Sequence, residues 1–324
     1  SSESRGLGDV YKRQSINIMK VLVIGSHGFL GKHVKTLLEK QNNHVVLEIT
    51  GKNHVDITQY DSLNEFLSES RPDILINCAA FVGGISYGYK YPAKMLYENS
   101  SMAINLYKAS TKHKIKKLIN PISNCAYPGN LSTYKEEYFF DGPPDESVYN
   151  YGISKRLYVQ LGKSFYEENN FSSVNVVVSN MYGPHDHFDI ERSHALGAII
   201  KKVYDAKKNN LNKVQIWGTG KPIREWLYVE DGAEALIKCI NLGSGHHFFN
   251  VGVKKGISII ELAKIIKEKI GWNGEFELDI SKPDGVYEKK VDGYLGETKL
   301  GWKPKTNLYD GIQTTVDWYI NNYG

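Results

Sequence analysis

The sequence predicts an α/β chain in which a doubly wound parallel sheet is followed by a smaller C-terminal lobe. Three observations predict it. Short runs rich in Val, Ile and Leu alternate with stretches whose apolar residues recur at helical spacing. The first of these runs, residues 20–24, ends in a turn with glycines at 25, 28 and 31. The polar residues best suited to chemistry fall at the C-terminal ends of the runs, where open parallel sheets bind their ligands.

Composition narrows the classes. At 324 residues, 41% apolar and 23% charged, the chain can bury a large core as one big domain or two. The net charge is only +4 and the basic residues are scattered, the densest run being 112–117, so no nucleic-acid partner is expected. No apolar run approaches the roughly 18 residues that a membrane span needs, so no membrane partner is expected either. Cys78, Cys125 and Cys239 are odd in number, far apart and without metal-ligand spacing. That usage points to a reducing compartment, no structural disulfide and no metal, hence to a cytoplasmic protein. Residues 1–18 are polar and without period, and Met19 stands directly before the first apolar run. They are expected to be a non-native or disordered leader.

Taken in order, residues 20–24 read as a strand and Val34, Leu37 and Leu38 as the inner face of a helix. Between them, the G-x-x-G-x-x-G spacing gives a tight turn at Gly25. It also allows close approach of a pyrophosphate at Gly28 and close helix packing at Gly31. Gly25, Gly28, Phe29, Leu30 and Gly31 are therefore the candidate cofactor turn, and His27 is an exposed loop residue within it. The next strand, 45–50, ends where such folds read the adenosine ribose. A carboxylate there selects the free 2′-hydroxyl and a cation welcomes a 2′-phosphate. Glu48 comes slightly early and Lys52 is basic, which favours NADPH, with NAD as the alternative. Asp56 and Ile57 either touch the adenine edge or, for Asp56, cap a helix N-terminus.

Residues 73–80 form another buried run that ends in Ala79 and Ala80, small enough to lie against a cofactor. A strand beginning at Lys117 delivers Ser123 and Cys125, and one over 174–179 delivers Asn180 and the turn to His185. Past Pro184 the texture changes to a helix over 195–203, a short strand over 214–217, a Gly-Thr-Gly turn and a helix from about Glu230. Ser258 and Glu261 make a capping box for a further helix. The resulting division is a dinucleotide-binding part over 19–182 and a mainly substrate-binding lobe over 183–324, interleaved with the sheet.

Tyr151 and Lys155 lie four apart in a helical stretch, so phenol and ammonium share one face. A free phenol has a pKa of about 10; a fixed cation, joined by an oxidised nicotinamide ring, favours the phenolate and brings that value towards the working pH. Ser123 can hold the substrate oxygen while Tyr151 exchanges its proton. A lone Y-x-x-x-K is more often an ordinary helix surface, and it gains meaning here from the glycine turn before it.

In this order the motifs resemble the extended short-chain dehydrogenase/reductases (the NAD-dependent epimerase/dehydratases) and, within them, the GDP-L-fucose synthase family. The resemblance runs from Met19 to about Trp302. It is carried by residues 79–85, by 91–93 with 97–99, by 123–128, by Tyr151 with Lys155, by 180–186 and by 217–225. It implies a Rossmann-like fold, a homodimer, a GDP-sugar as substrate and NADP (NADPH) as cofactor. The implied activity is inversion at C3 and C5 of GDP-4-keto-6-deoxy-D-mannose, followed by reduction at C4. Ser123, Tyr151 and Lys155 match the reductive triad, Cys125 and His185 the epimerising pair, and Asn180, Trp217, Arg224 and Lys289 the contacts to the sugar nucleotide. The sequence departs from the family at 286–288 and at 50–52, which leaves the sugar open.

Other readings of single residues stand beside these. Cys125 can be a buried filler, His185 a structural histidine after a Gly-Pro turn, and Arg224 the partner of Glu225 or another surface carboxylate. For the whole chain, the competitors are a 4-reductase or epimerase of another GDP-4-keto sugar such as a deoxyheptose, and a catalytically idle nucleotide-sugar-binding protein.

Overall fold

The computed structural model describes residues 18–189, 192–282, 284 and 286–324. Apart from Ile18, the expected leader lies outside the described residues, as do Pro283 and Gly285, a few positions before Lys289. Strand β1 (Met19–Ile24) buries Val21, Leu22, Val23 and Ile24 completely. Leu22 and Ile24 enter the core on one side of the sheet, Val21 and Val23 the core on the other. Burial on both faces is what turns an alternating strand into a continuous apolar run, and each such side chain stabilises the fold by about 1.5–3 kcal/mol relative to exposure.

Helix α1 (Phe29–Gln41) sets Leu30, Val34 and Leu38 inward and stops at Asn42, whose left-handed backbone closes the last turn. There follow β2 (His44–Ile49), α2 (Tyr60–Ser70), β3 (Ile74–Asn77), α3 (Ile85–Lys90) and α4 (Pro92–Lys112), which opens on a proline where no amide donor is needed. Next come β4 (Lys117–Ser123), the two-residue β5 (Thr133–Tyr134), α5 (Tyr149–Asn169) and β6 (Ser173–Val178).

β7 (Asn180–Tyr182), α6 (Ala195–Lys208), β8 (Lys213–Trp217), β9 (Ile223–Arg224), β10 (Trp226–Tyr228) and α7 (Val229–Lys238) continue the chain. The remainder is β11 (His246–Val251), β12 (Ile257–Ser258), α8 (Ile259–Ile270), β13 (Glu275–Asp279), β14 (Glu288–Val291), α9 (Tyr294–Leu300) and α10 (Leu308–Tyr323).

The main sheet is parallel, in the order β11-β6-β4-β3-β1-β2. The chain passes from β1 to β2 on one side and returns to β3 on the other, so strand order reverses between β1 and β3. Their C-terminal ends flank the crevice where a doubly wound sheet binds its ligand. A separate core joins Ile199, Ile200 and Val203 of α6, Leu262 and Ile266 of α8, and Val316 and Tyr319 of α10. The capping box forms as expected, Ser258 and Glu261 satisfying each other's backbone amides.

Two features differ from the sequence reading. The sixth strand of the sheet is β11, whose six residues HHFFNV carry no clear period. A small sheet, β12-β9-β14-β5, joins β5 from the first half of the chain to strands of the second. All three of its strand pairings cover only two positions, too few for periodicity to register. Among the described residues, no helix is long and apolar enough to cross a membrane.

Candidate active site

The turn after β1 is built from backbone. Gly25 has a φ of 76° and, with Ser26, donates its amide to the carbonyl of Ile49 at the end of β2. A Cβ on Gly31 would lie 2.0 Å from the Gly25 carbonyl oxygen, so only glycine lets the helix sit this close to its own turn. Gly28 is the N-cap of α1, makes no side-chain cap and is followed by no acid in the first turn. The amides of Phe29, Leu30 and Gly31 are thus left to an anion at the positive end of the helix, and this cradle fits a dinucleotide pyrophosphate.

Around the ribose position the side chains are matched to one another. Glu48 accepts from Ser26 Oγ at 2.7 Å and from Lys35 Nζ at 3.0 Å, and these two bonds hold its carboxyl below the usual range. Lys52 lies 3.4 Å from both Asp56 and Glu98, beside an open hollow lined by Thr50, Gly51, Asn53 and His54. Asp56 accepts from the amide and hydroxyl of Thr58. It does not cap α2, whose N-cap is Gln59; that alternative fails because the helix starts a turn later than the sequence reading placed it. Ile57 is buried beneath this loop. Ala79 donates its amide to Asn77 Oδ1, and the loop through Ala80 and Phe81 is pinned by Asn99, which bonds both the amide and the carbonyl of Phe81.

The chemical groups gather one strand further along. Ser123 is the last residue of β4, and its hydroxyl accepts from the Cys125 amide at 3.2 Å, capping the single turn that holds the thiol. Helix α5 presses onto that turn: a Cβ on Gly152 would sit 2.7 Å from the Cys125 carbonyl oxygen. Tyr151 is thereby brought within electrostatic reach of Cys125. Lys155, only 3% exposed, holds its ammonium 5.5 Å from the centre of the Tyr151 ring and 4.9 Å from that of Tyr158.

Burial pushes the Lys155 amine down to about 8. It also pushes the thiol of half-buried Cys78 up to about 12. For Tyr151 the expectation of a lowered pKa is not met in the protein alone: burial, then Cys125 and Tyr158, push the phenol well above its ordinary value. Desolvation of the phenolate outweighs the single cation one turn away.

Of the candidate substrate contacts, Arg224 and Lys289 are register partners in β9 and β14 and so project from one face of the small sheet. The guanidinium donates to the Ile223 carbonyl and lies within reach of Tyr134, Asp284 and Cys125. It does not pair with Glu225. That buried carboxyl instead accepts from Ser179 Oγ and the Val291 amide, both at 2.9 Å, and burial raises it to about 7. Asn180 begins β7 just beyond. Trp217 stands apart, 58% exposed at the end of β8, with Lys202 and Lys282 over its ring.

His185 has a left-handed backbone, φ 69°, an uncommon strain for a non-glycine residue and one that concentrates at functional turns. Its ring neighbours are His33 at 5.7 Å and Trp318 at 4.8 Å, and burial, then Lys32 and His33, lower its pKa. Among the described residues, no hydrogen bond or ring contact joins it to Cys125 or Tyr151. Two residues that the sequence reading passed over lie beside the candidate groups, Tyr134 near Cys125 and Asp145 near Lys289, and Asn99, read there only as part of the 97–99 match, pins the loop through Phe81. Asp145 caps a short turn through Ser147, and its D-x-S pattern was a readable signal.

Residues 21–252 match the NAD dependent epimerase/dehydratase family, and the chain belongs to that family. Over 98% of both chains it is 31% identical to GDP-L-fucose synthase 1 of Arabidopsis thaliana. It superposes with a TM-score of 0.86 and 27% identity on a GDP-L-fucose synthetase from Naegleria fowleri bound to NADP, covering 94% of this chain and 95% of that one. A GDP-6-OMe-4-keto-L-xylo-heptose reductase from C. jejuni superposes with a TM-score of 0.87 at 25% identity, covering 94% and 98%.

Proposed function

We propose that the chain is a GDP-L-fucose synthase-like enzyme that inverts C3 and C5 of GDP-4-keto-6-deoxy-D-mannose and reduces its C4 ketone with NADPH. The observation that carries it is the placement of one thiol, Cys125, within reach of both the reductive phenol Tyr151 and the cation Arg224. Residues 19–182 hold the cofactor, at the glycine turn, Lys52, Asp56, Ile57, Ala79, Ala80, Tyr151 and Lys155; bound there, NADPH supplies the hydride. Residues 183–324 mainly hold the GDP-sugar, through Arg224 and Lys289 and, further out, the exposed Trp217, with Asn180 contributed from just before that lobe.

Both inverted carbons neighbour the ketone, so their protons become acidic once the oxygen at C4 is held. Ser123 and Tyr151 hold it. Cys125 and His185 remove and return the carbon protons, a thiol and an imidazole being suited to that work near neutral pH. For reduction, Tyr151 gives its proton to the C4 oxygen, and Lys155 keeps the phenol oriented and replaceable. The uncapped N-terminus of α1, the Naegleria relative's NADP complex and the cation at Lys52 support NADPH. A homodimer through the outer faces of α4 and α5 belongs to the same reading, supported by the exposed Tyr97 and Ile104 on α4 and Tyr149 and Tyr166 on α5. A cytoplasmic location is supported by three cysteines that are all free.

A 4-reductase of another GDP-4-keto sugar is the second reading. It is favoured by the ring neighbours of His185, which are His33 and Trp318, and by the likeness to the C. jejuni heptose enzyme. Proton exchange separates the two. Incubated with GDP-4-keto-6-deoxy-D-mannose in deuterated water without NADPH, the enzyme should place deuterium at C3 and C5. Absence of label with C4 reduction intact would remove the epimerase half and leave the second reading.

A further inference from the structure

We propose that Tyr134 is a substrate-contacting, specificity-determining residue whose phenol donates a hydrogen bond to an oxygen of the bound sugar, between Cys125 and Arg224. The inference rests on the nucleotide-sugar reading above and adds a residue that no motif in the chain points to. Its first support is register. Arg224 pairs with Lys289 across β9 and β14, and Tyr134 pairs with Val291 across β5 and β14. Lys289 and Val291 are two apart on one strand, so Arg224, Lys289 and Tyr134 all project from the same face of the small sheet.

The second support is the contrast with Tyr127, on which Tyr134 is stacked at 4.7 Å with an interplanar angle of 1°. The two phenols are nearly equally buried, yet the Tyr127 hydroxyl donates to Asn250 Oδ1 at 2.7 Å while that of Tyr134 has no hydrogen-bond partner among the described residues. Tyrosine hydroxyls in such settings usually find a partner, and the Tyr134 oxygen, unlike that of Tyr182, is not among the fully buried unpaired atoms, so it remains open to a ligand. Tyr134 has no freedom to seek one by moving. Its ring is held by the stack, and its carbonyl accepts from Asn250 Nδ2 and from the Asp292 amide, both at 2.9 Å. The 1%-exposed side chain therefore offers a fixed donor with Cys125, Arg224 and Asp145 as its charged or ionisable neighbours. Cys125 handles a sugar carbon in this reading and the guanidinium of Arg224 suits the pyrophosphate of the nucleotide, so the oxygen a donor meets between them, on the thiol side, is the sugar's.

Tyr134→Phe tests this because it keeps the stacked ring and removes only the hydroxyl. KM for GDP-4-keto-6-deoxy-D-mannose should rise about fivefold to tenfold, the loss expected for one hydrogen bond. The inhibition constant of GDP, the KM of NADPH and the melting temperature should stay as in the wild type. An unchanged KM for the sugar overturns the assignment and leaves the proposed activity intact, as does an equal loss for GDP and the GDP-sugar, which would mark Tyr134 as structural. Failure of the wild type itself to act on any GDP-ketosugar overturns the activity reading and this inference with it.

Discussion

Glu48 at the end of β2 and Tyr151 at the start of α5 stand for the proposed cofactor and substrate halves of the site, and their surroundings are opposite. In the cofactor half each charged side chain is answered by another: Glu48 by Ser26 and Lys35, Lys52 by Asp56 and Glu98. What remains open there is backbone, the first amides of α1. In the substrate half Glu225 and Arg224 are answered, but the proton-transfer groups are not. Lys155 is depressed by burial, Tyr151 is raised by it, and the phenols of Tyr151 and Tyr134 have no hydrogen-bond partner among the described residues. A cofactor can be held by shape and fixed dipoles, whereas proton transfer needs groups whose protonation is poised and whose partner is the substrate.

The contrast breaks most sharply at Lys155. Its folded pKa, about 8, lies below that of an unfolded lysine, so the fold pays the full cost of burying the ammonium below pH 8. Between pH 8 and about 10.5 the folded state has shed the proton that the unfolded state still holds, and stability rises through that window. Lys155→Met should therefore lower turnover about 10²–10⁴-fold while raising stability at pH 7 by about 2–4 kcal/mol. Urea denaturation at pH 7 and pH 10 checks both signs; a less stable variant at pH 7 would show that the substrate half is not strained by its chemistry.

Cys125→Ser comes next. It should slow deuterium exchange at C3 or C5 at least about 100-fold and leave reduction of a pre-epimerised ketosugar within about tenfold. Equal effects on both, followed by NMR, would make the thiol a packing group. In the cofactor half the expected damage is structural: Gly31→Ala drives a methyl into the Gly25 carbonyl and should cost about 3 kcal/mol, read as a lower melting temperature with weakened NADPH binding. The smallest effect is at exposed Lys52, where Lys52→Ala should reduce the preference for NADPH over NADH by less than about tenfold. An unchanged preference would move the reading of the 2′-phosphate to another residue.

The two halves also differed in how far the sequence disclosed them. The glycine turn, the Tyr151–Lys155 pair and the capping box at Ser258 are local patterns, each set by spacing within a single turn or helix, and each is found in the structure. Tyr134 left no such trace. It reaches the site because β5 pairs with β14, more than 150 residues later in the chain, and two-residue strands have no period to detect. The same holds for Glu225, whose place between Ser179 and Val291 depends on three separate elements meeting. Asp56 shows the opposite fault: its residue type kept a helix cap open as one of two readings, when its own turn to Thr58 satisfies it.

The most direct measurement compares Tyr151→Phe with the wild type for NADPH oxidation on GDP-4-keto-6-deoxy-D-mannose, with GDP affinity followed by calorimetry on the same samples. Removal of the one hydroxyl should abolish oxidation, a loss of at least about 10³-fold, while the dissociation constant of GDP changes less than twofold or so. Turnover by the variant at the wild-type rate would contradict the account at its centre.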